Sequence, residues 1–146
     1  MEYKVIDKDT FYKKGMYERF TKECKCSTSI TAKIDVTKLY EISKKSNTKF
    51  YLNFLYILSK VLNSRDDYKM NYLWESDEII CYDQINPVQY AFNEKTETCT
   101  PVYSTYYEDY NKFYTEALKD LEEGKNNNGP KYDSKNHPNW FDASYI

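Results

Sequence analysis

Glycine and histidine are scarce in this sequence, which has three glycines and one histidine among 146 residues. Three glycines do not provide the glycine-rich loop that binds nucleotide phosphates, and no Gly-x-Ser-x-Gly segment is present. Cys24 and Cys26 are separated by one residue instead of the two usual in zinc sites, and one histidine does not complete a site with Cys81 and Cys99. We therefore predict neither a phosphate-binding loop nor a metal site.

Long apolar runs and basic blocks are also lacking. The N-terminal residues contain no apolar run that fits a signal peptide, and the richest apolar stretch, Phe50 to Ile57, is interrupted by Asn53. The 21 basic and 23 acidic residues are scattered, with a net charge of -2, so no basic block would release counterions from a nucleic acid. We expect a cytoplasmic protein with reduced thiols that binds neither membrane nor nucleic acid.

Tyrosine, in contrast, is abundant, with 17 copies. One explanation is a coding bias that also raises the lysine and asparagine content. The other is an aromatic-lined pocket or interface, because tyrosine combines apolar area with a polar tip. The length fits one compact domain over residues 1–146.

Hydrophobic periodicity predicts both helices and strands in the first half of the chain. Asp9 or Thr10 is the expected cap of a helix that carries Phe20. Further elements are expected in this order: a strand over Ser27–Asp35, a short helix over Thr37–Lys45 and a central core helix over Phe50–Asn63. Apolar residues at helical spacing in the last of these, from Phe50 to Leu62, predict one broad buried face.

The second half is predicted to be a meander followed by a helix. Strands are expected over Met70–Trp74, Glu78–Tyr82, Val88–Phe92 and Thr98–Tyr103. Thr105 and Glu108 have the spacing of a capping box, and Gly124 is the expected end of the helix that follows. A loop over Asn126–Pro130 and a strand beginning at Trp140 complete the prediction.

The order of several short segments resembles the chloramphenicol acetyltransferase family. The matching segments are Cys26–Thr31, Lys33–Thr37, Lys49–Tyr51, Val61–Asn63, Tyr82-Asp83 with Pro87, Tyr90–Phe92 with Thr98, and Asn139, Phe141 and Ser144 with Ile146. They extend through nearly the whole chain in the family's order. The resemblance implies an α/β fold, a two-layer α+β sandwich in which helices cover a mixed β-sheet. It also implies homotrimers with active sites between subunits.

The resemblance further implies a reaction and the residues that carry it. Members of the family move an acetyl group from acetyl-CoA to the 3-hydroxyl of chloramphenicol, which confers antibiotic resistance. A histidine in a His-His-x-x-x-Asp-Gly motif acts as general base, and a serine hydroxyl stabilises the oxyanion. Ser144 matches that serine, with an ordinary strand serine as the alternative. No metal is implied.

Four residues fall at positions that line the antibiotic pocket in the family: Phe20, Cys26, Thr28 and Phe92. The alternative is that they are core or strand-face residues. Two positions depart from the family. Lys13 replaces an arginine that pairs with the motif's aspartate, and Lys69 replaces a second arginine. Because lysine lacks the bidentate fork of arginine, both pairings are expected to be weaker.

The general base is the part of the machinery that we do not find. The sequence ends at Ile146, before the family's histidine motif, and we therefore expect a truncated chain that is inactive alone and exposes an open sheet edge. His137, the one histidine, lies in a polar Lys-Asn-His-Pro-Asn segment that indicates a solvated loop. The alternative function is a non-catalytic, acetyltransferase-like protein that binds a partner at that edge. A nonfunctional gene remnant is a third possibility.

Overall fold

A computed structural model describes residues 2–24, 26–126, 133 and 135–143. The helices are α1 (Lys14–Glu18), α2 (Thr37–Lys45), α3 (Phe50–Asn63), α4 (Asp66–Lys69) and α5 (Tyr110–Asn126), and a π-helical turn, Arg19–Glu23, directly follows α1. The strands are β1 (Tyr3–Ile6), β2 (Met70–Leu73), β3 (Glu78–Tyr82), β4 (Asn86–Asn93), β5 (Thr98–Tyr103) and β6 (Trp140–Asp142). Strand β1 and helix α4 were not predicted from the sequence.

These strands form two three-stranded sheets. Sheet A has the order β1-β3-β2 and is antiparallel, whereas in sheet B, of order β5-β4-β6, β4 pairs antiparallel with β5 and parallel with β6. The predicted mixed sheet is confirmed, but the single meander is wrong. Ile85 lies between β3 and β4, and the side chain of Asn63 in α3 forms hydrogen bonds with its backbone. Nδ2 of Asn63 donates to the Ile85 carbonyl oxygen, and the Ile85 amide nitrogen donates to Oδ1 of Asn63, at 2.9 Å each. These bonds replace the strand partners that the two backbone groups lack at this point.

Helices α3 and α5 form the layer that covers sheet B. Leu121 of α5 packs with Ala91 of β4 and Val102 of β5. Leu52 and Leu55 of α3 are fully buried in the cluster that joins this helix to α5. The buried face of α3 is therefore rotated from the predicted one, whose member Val61 is 52% exposed. The predicted α/β class, with helices over a mixed sheet, is confirmed.

Both predicted ends of α5 are wrong. The helix begins later than the proposed capping box, because the carboxylate of Asp109 accepts the amide hydrogen of Lys112 at 2.7 Å. At the other end, Gly124 is buried inside the helix, which continues to Asn126. A Cβ atom at Gly124 would lie 2.4 Å from Cγ2 of Val102 and 2.8 Å from Cβ of Ala91. This glycine therefore permits close approach of helix and sheet and does not end the helix.

The predictions for the N-terminal third are partly wrong. The expected helix forms as α1 and the π-turn, but neither Asp9 nor Thr10 caps it; both donate hydrogen bonds to the carboxylate of Asp7, at 2.9 and 3.0 Å. The predicted strand Ser27–Asp35 has no partner among the described residues and is exposed, with Ile30 at 85%. Alternation of apolar and polar residues makes a strand only where another strand completes the ladder.

None of the helices formed by the described residues is long and apolar enough to cross a membrane.

Candidate active site

The outer face of sheet B presents aromatic and apolar side chains to solvent. Successive strand residues point to opposite faces, and because Ala91 faces α5, Tyr90 and Phe92 face away from it. Phe92 is paired with Cys99, and Tyr90 with Pro101, on the neighbouring strand. Phe92 is 51% exposed. We call the surface formed by Tyr90, Phe92, Cys99 and Pro101 the outer face.

The end of strand β6 is fixed beside this face. The amide nitrogen of Ala143 donates to the carbonyl oxygen of Val88 at 2.9 Å, and the Tyr51 hydroxyl donates to the Ala143 carbonyl oxygen at 3.3 Å. Ala143 is 3% exposed and belongs to the core cluster of α3 and α5. Burial, and then the charge of Asp142, raise the pKa of Tyr51 to about 12. Two elements of the core therefore hold the residue that precedes Ser144 in the sequence.

Ser144 itself lies outside the described residues, so its role as oxyanion stabiliser stays a prediction. Sequence reasoning quoted Tyr51 only as part of a family-like segment and missed its hydrogen bond to Ala143. The hydrogen bond joins residues that are 92 positions apart, so local sequence patterns do not indicate it. The family-like segment was the one feature of the sequence that drew attention to Tyr51.

The other predicted pocket residues lie on the N-terminal segment. Phe20, on the π-turn, is 41% exposed. Cys26 and Thr28 follow in the exposed, unpaired segment. Slight desolvation by nearby atoms, and then the neighbouring Cys24 thiol, raise the pKa of the Cys26 thiol. Among the contacts of the described residues, no hydrogen bond or ring contact joins these three to Phe92. The chain therefore presents the predicted pocket in two separate parts.

His137 has a defined environment rather than a fully solvated one. Its ring stacks against that of Tyr103, with centroids 4.0 Å apart, and its Nδ1 lies 3.1 Å from the carbonyl oxygen of Asp133. The imidazole is half-buried. These contacts place the one histidine of the sequence beside strand β5, shortly before the start of β6.

Tyr103 also belongs to a polar network that sequence reasoning missed. Asn86 donates its side-chain amide to the Tyr103 hydroxyl at 2.6 Å, and Asn139 donates its own to the carbonyl oxygen of Gln84 at 2.8 Å. The backbone amide of Asn86 donates to the Asn139 carbonyl at 2.9 Å. Burial raises the pKa of Tyr103. The network fixes the start of β6 against β4.

The two lysines that are predicted to replace family arginines pair with neighbouring carboxylates. Nζ of Lys13 lies 3.5 Å from Oδ2 of Asp67, and Nζ of Lys69 lies 3.1 Å from Oδ1 of Asp66. Hydrogen bonds from Lys69 and from Lys4 lower the pKa of Asp66. The first pair joins the residue before α1 to helix α4, whereas the second lies within α4 itself. No group of three or more potential metal ligands occurs in the part of the chain that the structure describes.

Comparison with known proteins identifies the family. The family model described as chloramphenicol acetyltransferase matches residues 1–146. The chain belongs to the chloramphenicol acetyltransferase family. The predicted relationship to an acetyltransferase family is thereby confirmed.

Individual relatives agree with this family. A chloramphenicol acetyltransferase of Proteus mirabilis is 31% identical over 117 residues, which are 80% of this chain and 53% of that protein. One from Clostridium butyricum is 29% identical over 122 residues, 83% of this chain and 55% of that protein. The chain thus spans about half the length of the curated relatives it matches.

A solved structure of a chloramphenicol acetyltransferase shares the fold. It matches with a TM-score of 0.88 over 98% of this chain and 69% of that chain, at 16% sequence identity. At this identity the likeness concerns the arrangement of helices and strands alone.

Proposed function

We propose that this chain takes part in the transfer of an acetyl group from acetyl-CoA to the 3-hydroxyl of chloramphenicol. The observation that carries the proposal is the outer face, where exposed Phe92 lies on the strand that also holds the end of β6. An exposed aromatic surface suits the aromatic ring of the antibiotic, because its burial removes apolar area from water. The serine that follows Ala143 would then act at one end of that surface.

In the proposed reaction the acceptor alcohol attacks the thioester carbonyl carbon as a base removes its proton. The carbonyl oxygen becomes an oxyanion, to which the Ser144 hydroxyl donates a hydrogen bond, and the intermediate collapses with release of the CoA thiol. One such donor contributes about 10²–10³-fold in rate. His137 is not assigned as the base in this proposal, because it does not lie in a His-His-x-x-x-Asp-Gly segment, to which the resemblance assigns that residue. The sequence has no second histidine, so we expect these 146 residues alone to bind both substrates without turnover.

Binding of chloramphenicol tests the outer face directly. We expect calorimetry to detect binding by the 146-residue chain. Phe92→Ala should weaken it about 10- to 150-fold, because losing the burial of one ring costs about 1.5–3 kcal/mol. Tyr40→Ala is the matched control, since Tyr40 is an aromatic residue of equal exposure, 51%, on helix α2. Equal affinity of wild type and Phe92→Ala would contradict the proposal.

We propose that the two parts of the pocket meet between copies in a homotrimer. The exposed segment with Cys26, Thr28 and Ile30 would lie against the outer face of a neighbouring copy, where its apolar side chains gain a partner. The prediction is a trimeric mass in light scattering. Mixing Phe92→Ala chains with Thr28→Arg chains should restore part of the chloramphenicol binding that each variant lacks. No recovery in the mixture would place the site within one copy.

A non-catalytic binding protein is the second candidate function. The observation that favours it is the abundance of tyrosine, 17 copies, together with the lack of a His-His-x-x-x-Asp-Gly segment among these 146 residues. This candidate predicts capture of a protein partner at a sheet edge. Release of thiol from acetyl-CoA that depends on chloramphenicol, with the purified chain, would exclude it.

Two further properties are proposed with the function. Residues 1–146 are proposed to fold as a single domain, which predicts one cooperative unfolding transition followed equally by fluorescence and circular dichroism. The protein is proposed to act in the cytoplasm, where acetyl-CoA is available. Cell fractionation with an antibody against the chain checks the location.

A further inference from the structure

Two cysteines, separated by one residue, lie where the π-turn ends and the exposed segment begins. Cys24 directly follows the π-turn, and its amide nitrogen donates to the carbonyl oxygen of Arg19 at 2.8 Å. Cys26 belongs to the segment that has no strand partner among the described residues. Both cysteines are exposed. The pair is therefore accessible to solutes, and no ladder between described strands holds Cys26 in place.

The chain itself keeps the two cysteines within reach of each other. An extended chain spans at most about 3.3–3.6 Å per residue, so Cα atoms two positions apart are separated by at most about 7 Å. Disulfides form at Cα separations of about 4.4–6.8 Å. The Cys24 thiol also acts on Cys26: slight desolvation, and then the charge and a hydrogen bond of the Cys24 thiol, raise the pKa of the Cys26 thiol. The two thiols are therefore close enough to interact.

The other two cysteines differ from this pair. Cys81 of β3 is 1% exposed, and burial raises the pKa of its thiol, so it offers little of the reactive thiolate. Cys99 of β5 is exposed, but it lies opposite Phe92 on the neighbouring strand. Cys24 and Cys26 alone combine exposure with a second thiol two positions away in the sequence.

We propose that Cys24 and Cys26 form a reversible dithiol–disulfide site that is oxidised by small disulfides such as oxidised glutathione. The Cys24 thiolate attacks one sulfur of the small disulfide, whose S–S bond breaks, and a mixed disulfide remains on Cys24 while one thiolate leaves. Cys26 then loses its proton to solvent, and its thiolate attacks the Cys24 sulfur and displaces the second thiolate. Both released thiolates take up protons, so two protein thiols are oxidised and one small disulfide is reduced to two thiols.

The bond formed in this way is expected to be labile. A disulfide that closes so small a ring is strained, and strained or exposed disulfides are readily reduced. The site would therefore stay reduced where thiols are in excess and would be oxidised when small disulfides accumulate. Oxidation would tie the end of the π-turn to the start of the exposed segment. The inference goes beyond the proposed function, because neither chloramphenicol nor acetyl-CoA takes part.

The tryptic cleavage pattern of the chain offers a direct test. Trypsin cuts after Lys22, Lys25 and Lys33, so Cys24 and Cys26 fall on separate peptides, 23–25 and 26–33. The folded chain is treated with oxidised glutathione, its free thiols are blocked, and it is digested without reductant. We expect mass spectrometry to find these two peptides linked and dithiothreitol to separate them. On a denaturing gel without reductant the oxidised chain should run as a monomer.

Cysteine variants identify the two partners of the bond. Cys26→Ser removes the thiol that completes the bond, so we expect the glutathione adduct on Cys24 to persist and the linked peptides to be lost. Cys99→Ser is the matched control, because Cys99 is exposed but lies outside the pair, and it should give the linked peptides of wild type. Glutathione adducts on Cys24 and Cys26 without linkage in wild type would overturn the inference. No reaction at either cysteine, linkage to Cys99 or a covalent dimer of chains would overturn it as well.

Discussion

The two faces of sheet B differ although the same strands build both. On the inner face, Ala91 and Val102 are fully buried and approach α5 so closely that Gly124 has no room for a side chain. On the outer face, Phe92 follows Ala91 directly in the sequence and is half exposed. Adjacent residues of one strand therefore meet different surroundings: the inner one packs against helix α5, and the outer one leaves half of its surface exposed, where we propose that a ligand binds.

The largest expected effect of a substitution in this comparison lies on the inner side. Leu121→Ala should lower the free energy of unfolding by about 2–5 kcal/mol, because it leaves a cavity between α5 and sheet B. Phe92→Ala should change it by only about 0.5 kcal/mol, since its ring is exposed. Urea unfolding measures both. Similar losses for the two variants would show that the outer face is also part of the folded core.

Helix α5 approaches sheet B closely at Gly124, and this contact predicts the next largest effect on stability. Gly124→Ala should cost about 1–3 kcal/mol, because its methyl group would overlap with Val102 and force helix and sheet apart. Gly15→Ala is the matched control in helix α1, where nothing lies within 4 Å of the new Cβ atom. There alanine should stabilise by up to about 1 kcal/mol. Thermal unfolding of the two variants side by side checks the contrast.

Tyr51 connects the inner core to the end of β6 and should show a smaller, pH-dependent effect. Tyr51→Phe should cost about 0.5–1.5 kcal/mol near neutral pH through the lost hydrogen bond to Ala143. The pKa of the folded phenol, about 12, lies above its ordinary value of 10.0. The protonated phenol's contribution to the free energy of unfolding is therefore fully present below pH 10.0, and it is lost as the pH rises from there to about 12. A wild-type advantage that persists unchanged in that range would contradict this account.

The hairpin that joins β4 and β5 predicts the smallest change. Glu97 has a φ of 54°, in the left-handed region, which is unfavourable for a residue with a Cβ atom. Glu97→Gly should therefore stabilise the fold by about 0.5–1 kcal/mol. Glu94→Gly, in the same turn but without a positive φ, should not stabilise it. Urea midpoints of both variants decide the point, and equal shifts would argue against backbone strain at Glu97.

Most helices and strands could be predicted because their signals are local. The spacing of apolar residues located α3, and short runs of β-branched and aromatic residues located β2 to β5. Gly124 was misjudged because a glycine that ends a helix and a glycine that permits close packing look alike in a sequence. The strand Ser27–Asp35 was wrong because its alternation says nothing about a partner.

The candidate site could be predicted only in part. The family-like segments named Phe92 and Ser144, and the structure places Phe92 on an exposed sheet face. The bond from Tyr51 to Ala143 and the network from Asn86 to Asn139 join residues far apart in the chain. No periodicity or spacing rule could have indicated these contacts.

Local periodicity indicated the α/β class, and the order of short segments along the chain indicated the family, because both can be read directly from the sequence. The separation of sheet B into a packed and an open face and the rotated face of α3 depend on contacts between distant residues. Such contacts exist only once the chain has folded, because close packing and hydrogen bonding depend on distances that the sequence does not contain.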